Sequence, residues 1–288
     1  CGSSAGLLDA LTSFDVLSFT GSADTGAKLR NHPAVARNSV RTNIEADSLN
    51  VTLLGEDALP GTAAFDLFVD NLVRDMTIKS GQRCTAPRRA LVPRVVMHAV
   101  AEAAAGKLAA IRVGNPRNPD TSMGSLVSRE QFDSAREGLA LLTSEASVLF
   151  DGSAQPLLDA DEKSACMGAT LLGVRDADAA VEVHRHEVFG PVSSLIGYKD
   201  AAHAIDIAHR GLGSLVASVY SADVQWMAKT AEALAASHGR VHVVSPDVAK
   251  THTGHGNVMP GSIHGGPGRA GGGEELGGLR ALAFYHRK

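Results

Sequence analysis

The chain has 288 residues, of which 44% are hydrophobic, 20% are charged and 30 are glycine. This composition is typical of a globular protein and excludes a disordered, collagen-like or coiled-coil chain. The 27 basic and 31 acidic side chains give a net charge of −4, which is not the positive field of a phosphate-backbone binder, so we predict no nucleic-acid partner.

The chain also lacks the marks of a membrane or disulfide-rich protein. No stretch approaches the roughly 18 consecutive apolar residues of a membrane span, so no membrane partner is predicted. The three cysteines, Cys1, Cys84 and Cys166, are widely spaced, which disfavours a disulfide framework and indicates a reducing, cytoplasmic location. The start at Cys1, without a signal-peptide pattern, leads us to expect a fragment of a longer protein.

Short apolar runs bounded by glycine, proline or polar residues recur along the chain and predict buried strands at 16–19, 51–54, 90–92, 147–150, 193–196, 215–219 and 240–244. Helical spacing lies between them, at 65–76, 95–111, 130–142, 201–209 and 224–236. This alternation predicts an α/β fold with a mostly parallel sheet and helices on both faces. The glycine-rich segment 265–278 is predicted to be a loop.

The first candidate site is the turn Phe-Thr-Gly-Ser at 19–22, which follows a predicted strand and precedes a helix at 27–30. Such a turn offers free backbone N–H groups and the positive end of a helix dipole to an anion such as phosphate. A simple strand-to-helix connection explains the same residues, because the GxGxxG fingerprint is absent. Both interpretations stay open on the residues alone.

Cys84 is the candidate nucleophile, since the junction at Gly81 can present its thiol to a cleft and Arg83 can favour the thiolate. A buried structural thiol explains the position equally well. Glu45, in a polar break between apolar segments, is a candidate general base, and Glu187 is a second loop carboxylate of the same kind. A solvated surface carboxylate is the alternative for both glutamates.

Five histidines crowd the C-terminal quarter of the chain: His238, His242, His252, His255 and His264. Neither a cysteine pair nor an HExxH motif accompanies them, so no metal site is predicted. The glycine-rich segment at 265–273 lacks the Gly-Lys-Ser/Thr ending of a phosphate-binding loop, which gives no support for nucleotide hydrolysis.

Taken in chain order, the motifs resemble the aldehyde dehydrogenase superfamily. They are Phe-Thr-Gly-Ser at 19–22, Glu45, Gly-Gln-Arg-Cys at 81–84, Arg-Val-Gly-Asn-Pro at 112–116 and Glu-Val-Phe-Gly-Pro-Val at 187–192. The chain departs from most members by having Glu-Ala-Asp-Ser-Leu-Asn at 45–50 in place of Glu-Leu-Gly-Gly-Lys. With the segment at 264–278, this resembles the branch that acts on CoA-linked semialdehydes in aerobic aromatic catabolism, such as benzoate degradation.

The resemblance implies the C-terminal part of a Rossmann-like cofactor domain over 1–48, followed by an α/β catalytic domain over 49–288 that ends in the glycine-rich segment. It implies that Cys84 attacks the aldehyde to form a thiohemiacetal and then a thioester, and that Glu45 activates the water that hydrolyses it. The branch favours NADP over NAD and uses no metal. The residues assigned to the cofactor are Thr20, Gly21, Ser22, Gly26, Glu187 and Phe189.

Further expectations concern partners. Arg88, Arg89 and Arg269 are candidates to contact CoA, with solvated surface arginines as the alternative. The full-length protein is expected to be a homodimer that acts on a small CoA-linked aldehyde. Because the resemblance puts the asparagine of the oxyanion hole upstream of Cys1, the chain alone is expected to be nearly inactive.

Two other functions stay open. In the first, a histidine activates Cys84 in a cysteine-dependent hydrolase or thioesterase that needs no nicotinamide. In the second, the chain is a non-catalytic homologue that serves in an assembly.

Overall fold

A computed structural model describes residues 6–276 and 278–286. In chain order the strands and helices are β1 (Val16–Thr20), α1 (Ala23–Arg30), α2 (Pro33–Arg37), β2 (Arg41–Glu45), β3 (Val51–Leu54), α3 (Ala63–Thr77), β4 (Arg89–Pro93), α4 (Met97–Leu108), α5 (Arg129–Leu142), β5 (Ala146–Asp151), β6 (Thr170–Val174), β7 (Val192–Tyr198), α6 (Ala201–His209), β8 (Ser214–Tyr220), α7 (Val224–Ala235), β9 (His238–Val244), β10 (Ile263–Gly265), β11 (Glu274–Leu276) and α8 (Gly278–Tyr285).

A seven-stranded sheet forms the centre of the molecule, in the order β5-β6-β7-β4-β3-β8-β9. Every neighbouring pair is parallel except β5 and β6, which are antiparallel. The predicted α/β class with a mostly parallel sheet is therefore confirmed. Parallel strands require crossover connections, and the helices between the strands provide them.

Helices cover both faces of this sheet, because successive side chains of a strand point to opposite faces. Leu53 belongs to the core under α5, α6 and α7, whereas the next residue, Leu54, belongs to the core under α3 and α4. The apolar stripe of α3 that begins at Phe65 is buried as predicted. Thr62 starts this helix by accepting a hydrogen bond from the Phe65 amide.

Two small sheets complete the architecture. Strands β1 and β2 are parallel, and Thr20 at the end of β1 lies opposite Glu45 at the end of β2. Strands β10 and β11 are antiparallel, and β11 lies against β2. The domain boundary after residue 48 stays a prediction, although it falls between β2 of the small sheet and β3 of the large one.

Most predicted elements appear within a few residues of their expected bounds, and the helix at 201–209 matches α6. The sequence patterns missed β2, β6, β10 and β11. The prediction that 265–278 is a loop is wrong: the described part includes the end of β10, a 3-10 turn at Gly268–Ala270, strand β11 and the start of α8, while residue 277 lies outside the described residues. Among the helices that the structure describes, none has the length and apolarity needed to cross a bilayer.

Candidate active site

Cys84 lies on a tightly folded connection between α3 and β4. Lys79 and Ser80 adopt positive φ angles of 53° and 56°, which strains the backbone. Gly81 has φ of 69°, and a Cβ there would lie 2.2 Å from the carbonyl oxygen of Gly190, so only glycine fits. The turn leaves the Cys84 thiol half-buried. The expected position of Cys84, between a helix and a strand at a glycine junction, is found.

Asn50 is fully buried and holds the connection between α3 and β4 in place. Its Nδ2 donates to the carbonyls of Cys84 at 2.8 Å and Ala86 at 3.0 Å. Its Oδ1 accepts from the Ser48 hydroxyl at 2.6 Å and from the Val216 amide at 3.1 Å. One side chain therefore joins the Cys84 loop to the central sheet, and all of its hydrogen-bonding capacity is used inside the protein.

Glu45 ends β2 and is buried, with 5% of its surface exposed. The alternative of a solvated surface carboxylate is therefore wrong for Glu45, and the residue lies in a strand rather than in a polar break between elements. Pairing with β1 covers one side of the strand, where the Gly21 amide donates to the Glu45 carbonyl at 3.1 Å. The glycine-rich segment covers the other side, since the Gly273 amide donates to the Ile44 carbonyl at 2.9 Å.

His264 brings the two predicted catalytic residues together. Its Nε2 lies 3.5 Å from Cys84 Sγ and 3.1 Å from Glu45 Oε1. The hydrogen bonds to Cys84 and to Glu45 raise the pKa of His264 to about 10, so the imidazole is a cation between two acidic groups at neutral pH. Only 12% of the His264 side chain is exposed.

The sequence patterns did not single out His264 among the five clustered histidines. The signal that marks it is its place directly before the glycine-rich segment: strand β10, which ends at the first glycine of that segment, carries the imidazole to the site. His255 and His242 lie elsewhere, with Nδ1 atoms 2.6 and 3.3 Å from the hydroxyl of Ser218.

Glu187 is also largely buried. The alternative of a solvated surface carboxylate is therefore wrong for this residue. Arg88 Nε donates to its Oε1 at 3.3 Å and the Ser48 amide donates to its Oε2 at 3.2 Å. Burial raises the pKa of Glu187 and outweighs the opposing effect of Arg88. Phe189 is partly exposed, and its ring centroid lies 5.3 Å from the Arg88 guanidinium carbon.

The turn at 19–22 follows β1 and opens α1, as predicted, but the helix begins at Ala23 rather than at residue 27. Ser22 caps it by accepting from the Thr25 amide at 3.2 Å. A Cβ on Gly21 would lie 2.5 Å from the Phe19 ring. The expectation of free amides is wrong at Ala23, whose N–H donates to Asp47 Oδ1 at 2.9 Å. Gly26 is buried against Ile44.

Arg88 and Arg89 are both buried and do not lie on the surface. Arg89 is 0% exposed and donates to backbone carbonyls, including that of Leu49, and burial lowers its pKa to about 9. Arg269 is largely covered and pairs with Asp47 at 3.4 Å. The alternative of solvated surface arginines is therefore wrong for Arg88 and Arg89, and the hydrogen bonds of all three side chains go to the protein itself.

A basic cavity of about 400 Å³ is lined by Ile78 and Arg83, which belong to the connection that carries Cys84. Arg74 and Lys250 contribute further positive charge, and Asp75 is the carboxylate among its lining residues. Asp75 is held by Arg74, with Nε to Oδ1 at 3.2 Å. Arg83 donates to Asn257 at 3.2 Å. The positive charges of Arg83 and Lys250 are available to an anionic ligand.

A model of the aldehyde dehydrogenase family matches residues 2–286. The 3,4-dehydroadipyl-CoA semialdehyde dehydrogenase of Aromatoleum evansii is 52% identical over 93% of this chain and 52% of its own length. Protein MaoC of Klebsiella aerogenes is 38% identical over 58% of this chain and 49% of its own. Betaine aldehyde dehydrogenase of Staphylococcus aureus, solved in complex with NAD+, superposes with a TM-score of 0.80 and 26% identity over 94% of this chain and 50% of that one. The chain therefore spans about half the length of these relatives.

Proposed function

The chain belongs to the aldehyde dehydrogenase family, and we propose that it carries the nucleophile and the general base for NAD(P)-dependent oxidation of an aldehyde to a carboxylic acid. The observation that carries this proposal is the contact of both Cys84 Sγ and Glu45 Oε1 with the same nitrogen of His264, at 3.5 and 3.1 Å. A soft nucleophile and a carboxylate that can accept a proton from water are thereby close enough to act on one carbon.

The proposed sequence of steps starts with attack of the Cys84 thiolate on the aldehyde carbon. His264 Nε2, 3.5 Å from the sulfur, places a positive charge beside the attacking atom. The thiohemiacetal then loses a hydride, which leaves a thioester on Cys84. Glu45 removes a proton from water, the resulting hydroxide attacks the thioester, and the acid leaves as the thiolate is restored. Asn50 keeps the Cys84 loop in place throughout.

A nicotinamide cofactor supplies the acceptor for the hydride when it is bound. The chain's residues fit such a group: Gly21 and Ser22 are exposed at the start of α1, beside the C-terminal ends of two parallel strands, where α/β folds bind nucleotides. Thr20, Gly26, Glu187 and Phe189 are the other proposed cofactor residues. We propose NADP in preference to NAD from the resemblance to the CoA-semialdehyde branch.

The proposed substrate is a CoA-linked semialdehyde of aromatic catabolism. Its support is the 52% identity to a 3,4-dehydroadipyl-CoA semialdehyde dehydrogenase, together with the basic cavity at Arg83 and Lys250, which suits a substrate arm with negative charge. We also propose that the full-length protein is a homodimer located in the cytoplasm, and that the 288-residue chain alone turns over little.

The test of the reaction uses the full-length protein with a CoA semialdehyde and follows the formation of NADPH. We expect the Cys84→Ser variant to lose at least about 10³-fold in kcat and the Cys166→Ser variant, changed at a buried thiol, to retain activity. Turnover by Cys84→Ser at the parent rate contradicts the proposal.

Parallel assays with NAD+ decide the cofactor preference, and light scattering decides the oligomeric state.

The test of the substrate uses the double variant Arg83→Gln/Lys250→Gln. Loss of these charges is expected to raise KM for the CoA-linked aldehyde about tenfold or more, because charge-assisted contacts contribute on the order of 1.5–3 kcal/mol, and to leave KM for a short uncharged aldehyde unchanged. The matched control is Lys229→Gln, an exposed cation on α7. An equal rise for both aldehydes contradicts recognition of the CoA arm.

A cysteine-dependent hydrolase or thioesterase is the second candidate, and the Cys84–His264 contact at 3.5 Å favours it because cysteine hydrolases use such pairs. It predicts hydrolysis of an acyl thioester by cofactor-free protein. Absence of this activity, with NADP-dependent turnover, excludes it. A non-catalytic homologue predicts that Cys84 does not react with iodoacetamide.

A further inference from the structure

The three atoms that meet at His264 are also the donor atoms of a metal site. Cys84 Sγ, His264 Nε2 and a Glu45 carboxylate oxygen all lie within 4.8 Å of one another. We propose that they form a zinc site, in which the three side chains bind one Zn²⁺ and leave its fourth position open. This inference does not depend on aldehyde oxidation, because it concerns metal affinity rather than turnover.

The distances fit tetrahedral zinc. With Zn–S of about 2.3 Å and Zn–N of about 2.0–2.1 Å, tetrahedral coordination separates sulfur from nitrogen by about 3.5 Å. Nitrogen and a carboxylate oxygen at about 2.0–2.2 Å from the metal are about 3.4 Å apart by the same geometry. The separations in the protein are 3.5 Å for Sγ to Nε2 and 3.1 Å for Nε2 to Oε1. The third pair, Sγ and a Glu45 carboxylate oxygen, lies within 4.8 Å, against about 3.6 Å in tetrahedral zinc, so these side chains close around the ion when it binds.

The chemistry of the donors selects the metal. A thiolate and an imidazole favour zinc over magnesium or calcium, which prefer all-oxygen sites. Burial also favours binding, since the side chains of His264 and Glu45 are 12% and 6% exposed and have little alternative solvation. Three protein ligands with one open position resemble the arrangement of catalytic rather than structural zinc sites.

The sequence patterns missed this site because its ligands come from three separate segments. Glu45 ends β2, Cys84 lies before β4 and His264 lies in β10. None of the ligand pairs has the short spacing of a zinc motif. The fold alone brings the donors together.

Zinc in this position holds the sulfur that the proposed oxidation uses as its nucleophile and the carboxylate that it uses as its base. The consequence is a reversible inactive state, set by the free zinc concentration and relieved by a chelator. The open fourth position admits water or a small anion.

The test is titration of the chain with Co²⁺, a spectroscopic substitute for zinc. We expect thiolate-to-cobalt charge-transfer absorption that Zn²⁺ displaces and a chelator removes. The Cys84→Ser variant is expected to lose this absorption. His264→Asn and Glu45→Gln are each expected to weaken cobalt binding at least about tenfold, since even loss of a supporting hydrogen bond around a metal costs about 10- to 100-fold in affinity.

The matched control is Cys166→Ser, which removes the buried cysteine near Gly114 and is expected to keep the spectrum. Circular dichroism of every variant separates loss of binding from loss of folding. Cobalt binding without thiolate absorption, or absorption that persists in folded Cys84→Ser, overturns the proposal. Neither result bears on aldehyde oxidation, which is measured separately with NADP and chelator present.

Discussion

Glu45 and His264 are 219 residues apart in the sequence, yet Glu45 Oε1 and His264 Nε2 lie 3.1 Å apart in the structure. The contact forms because β2 carries the carboxylate to the end of one small sheet and β10 carries the imidazole over it, with β11 lying against β2. Strand β10, which leads into the glycine-rich segment, thus places the imidazole beside Glu45 in the candidate site.

The reactivity of Cys84 is expected to depend on His264. We predict that His264→Asn slows alkylation of Cys84 by iodoacetamide at neutral pH about tenfold, because the variant removes the charged imidazole that contacts the sulfur at 3.5 Å. Peptide mass spectrometry identifies the modified cysteine. The control His98→Asn changes an exposed histidine on α4 and leaves the rate unchanged. Equal rates in His264→Asn and the parent contradict the role of the imidazole.

Glu45→Gln is expected to separate the two halves of the proposed reaction in the full-length protein. The thioester forms and then persists, because no base activates the water. We predict a burst of one NADPH per subunit, followed by a steady rate about 10²- to 10⁴-fold below the parent, and an acyl adduct in the intact mass. The control Glu102→Gln removes an exposed carboxylate. Linear kinetics at the parent rate contradict the assignment.

Asn50→Ala is expected to lower both stability and Cys84 reactivity. It removes the donor to the Cys84 and Ala86 carbonyls and the acceptor for the Val216 amide. Each buried group left without a partner costs about 1–3 kcal/mol. Urea denaturation measures the loss, and the control is Asn31→Ala, which removes one exposed hydrogen bond just after the C-terminal end of α1. A parental denaturation midpoint for Asn50→Ala shows that Asn50 does not support the loop.

Acid is expected to destabilise the protein through its buried histidines. Burial lowers the pKa of His184 and His255 to about 3 and that of His238 and His242 to about 4. An unfolded histidine has a pKa of about 6.5, so the unfolded chain binds more protons below that pH, and the free energy of unfolding falls as pH drops from about 6.5 towards 4. Each group contributes up to about 1.4 kcal/mol per pH unit.

Urea midpoints at pH 8, 7, 6 and 5 measure this dependence. The variant His255→Asn is expected to flatten the slope below pH 6.5, whereas His98→Asn, changed at an exposed position, is expected to leave it as in the parent. A midpoint that rises as the pH falls from 6 to 5 contradicts the prediction; between pH 8 and 7 the raised pKa of His264 acts in the opposite direction.

Sequence patterns were sufficient for the central sheet, because buried strands and amphipathic helices carry periodic signals. Strand β2 was missed, since Arg41-Thr42-Asn43-Ile44-Glu45 has neither an apolar run nor a clean alternation. Its burial comes from β1 on one side and the glycine-rich segment on the other, which are tertiary contacts. Local propensity cannot register such contacts.

The candidate site was predictable where its residues belong to local motifs and not where it depends on long-range pairing. Cys84 and Glu45 were singled out by motif, and the structure brings them together. His264 was missed because its one local mark, the place directly before the glycine-rich segment, does not show that this segment packs against β2. The burial of Arg88 and Glu187 was missed because each residue compensates the charge of the other, and such pairs occur between segments remote in sequence.

Arg88 links two segments of the candidate site. Its guanidinium donates to the Gly81 carbonyl at 3.0 Å in the Cys84 loop, to the Gly190 carbonyl at 2.8 Å and to the carboxylate of Glu187. A single planar cation thus links the segment that bears the thiol to the segment that bears Glu187, one of the proposed cofactor residues. Displacement of either segment alone breaks hydrogen bonds to a buried guanidinium, so Arg88 couples the positions of the two segments.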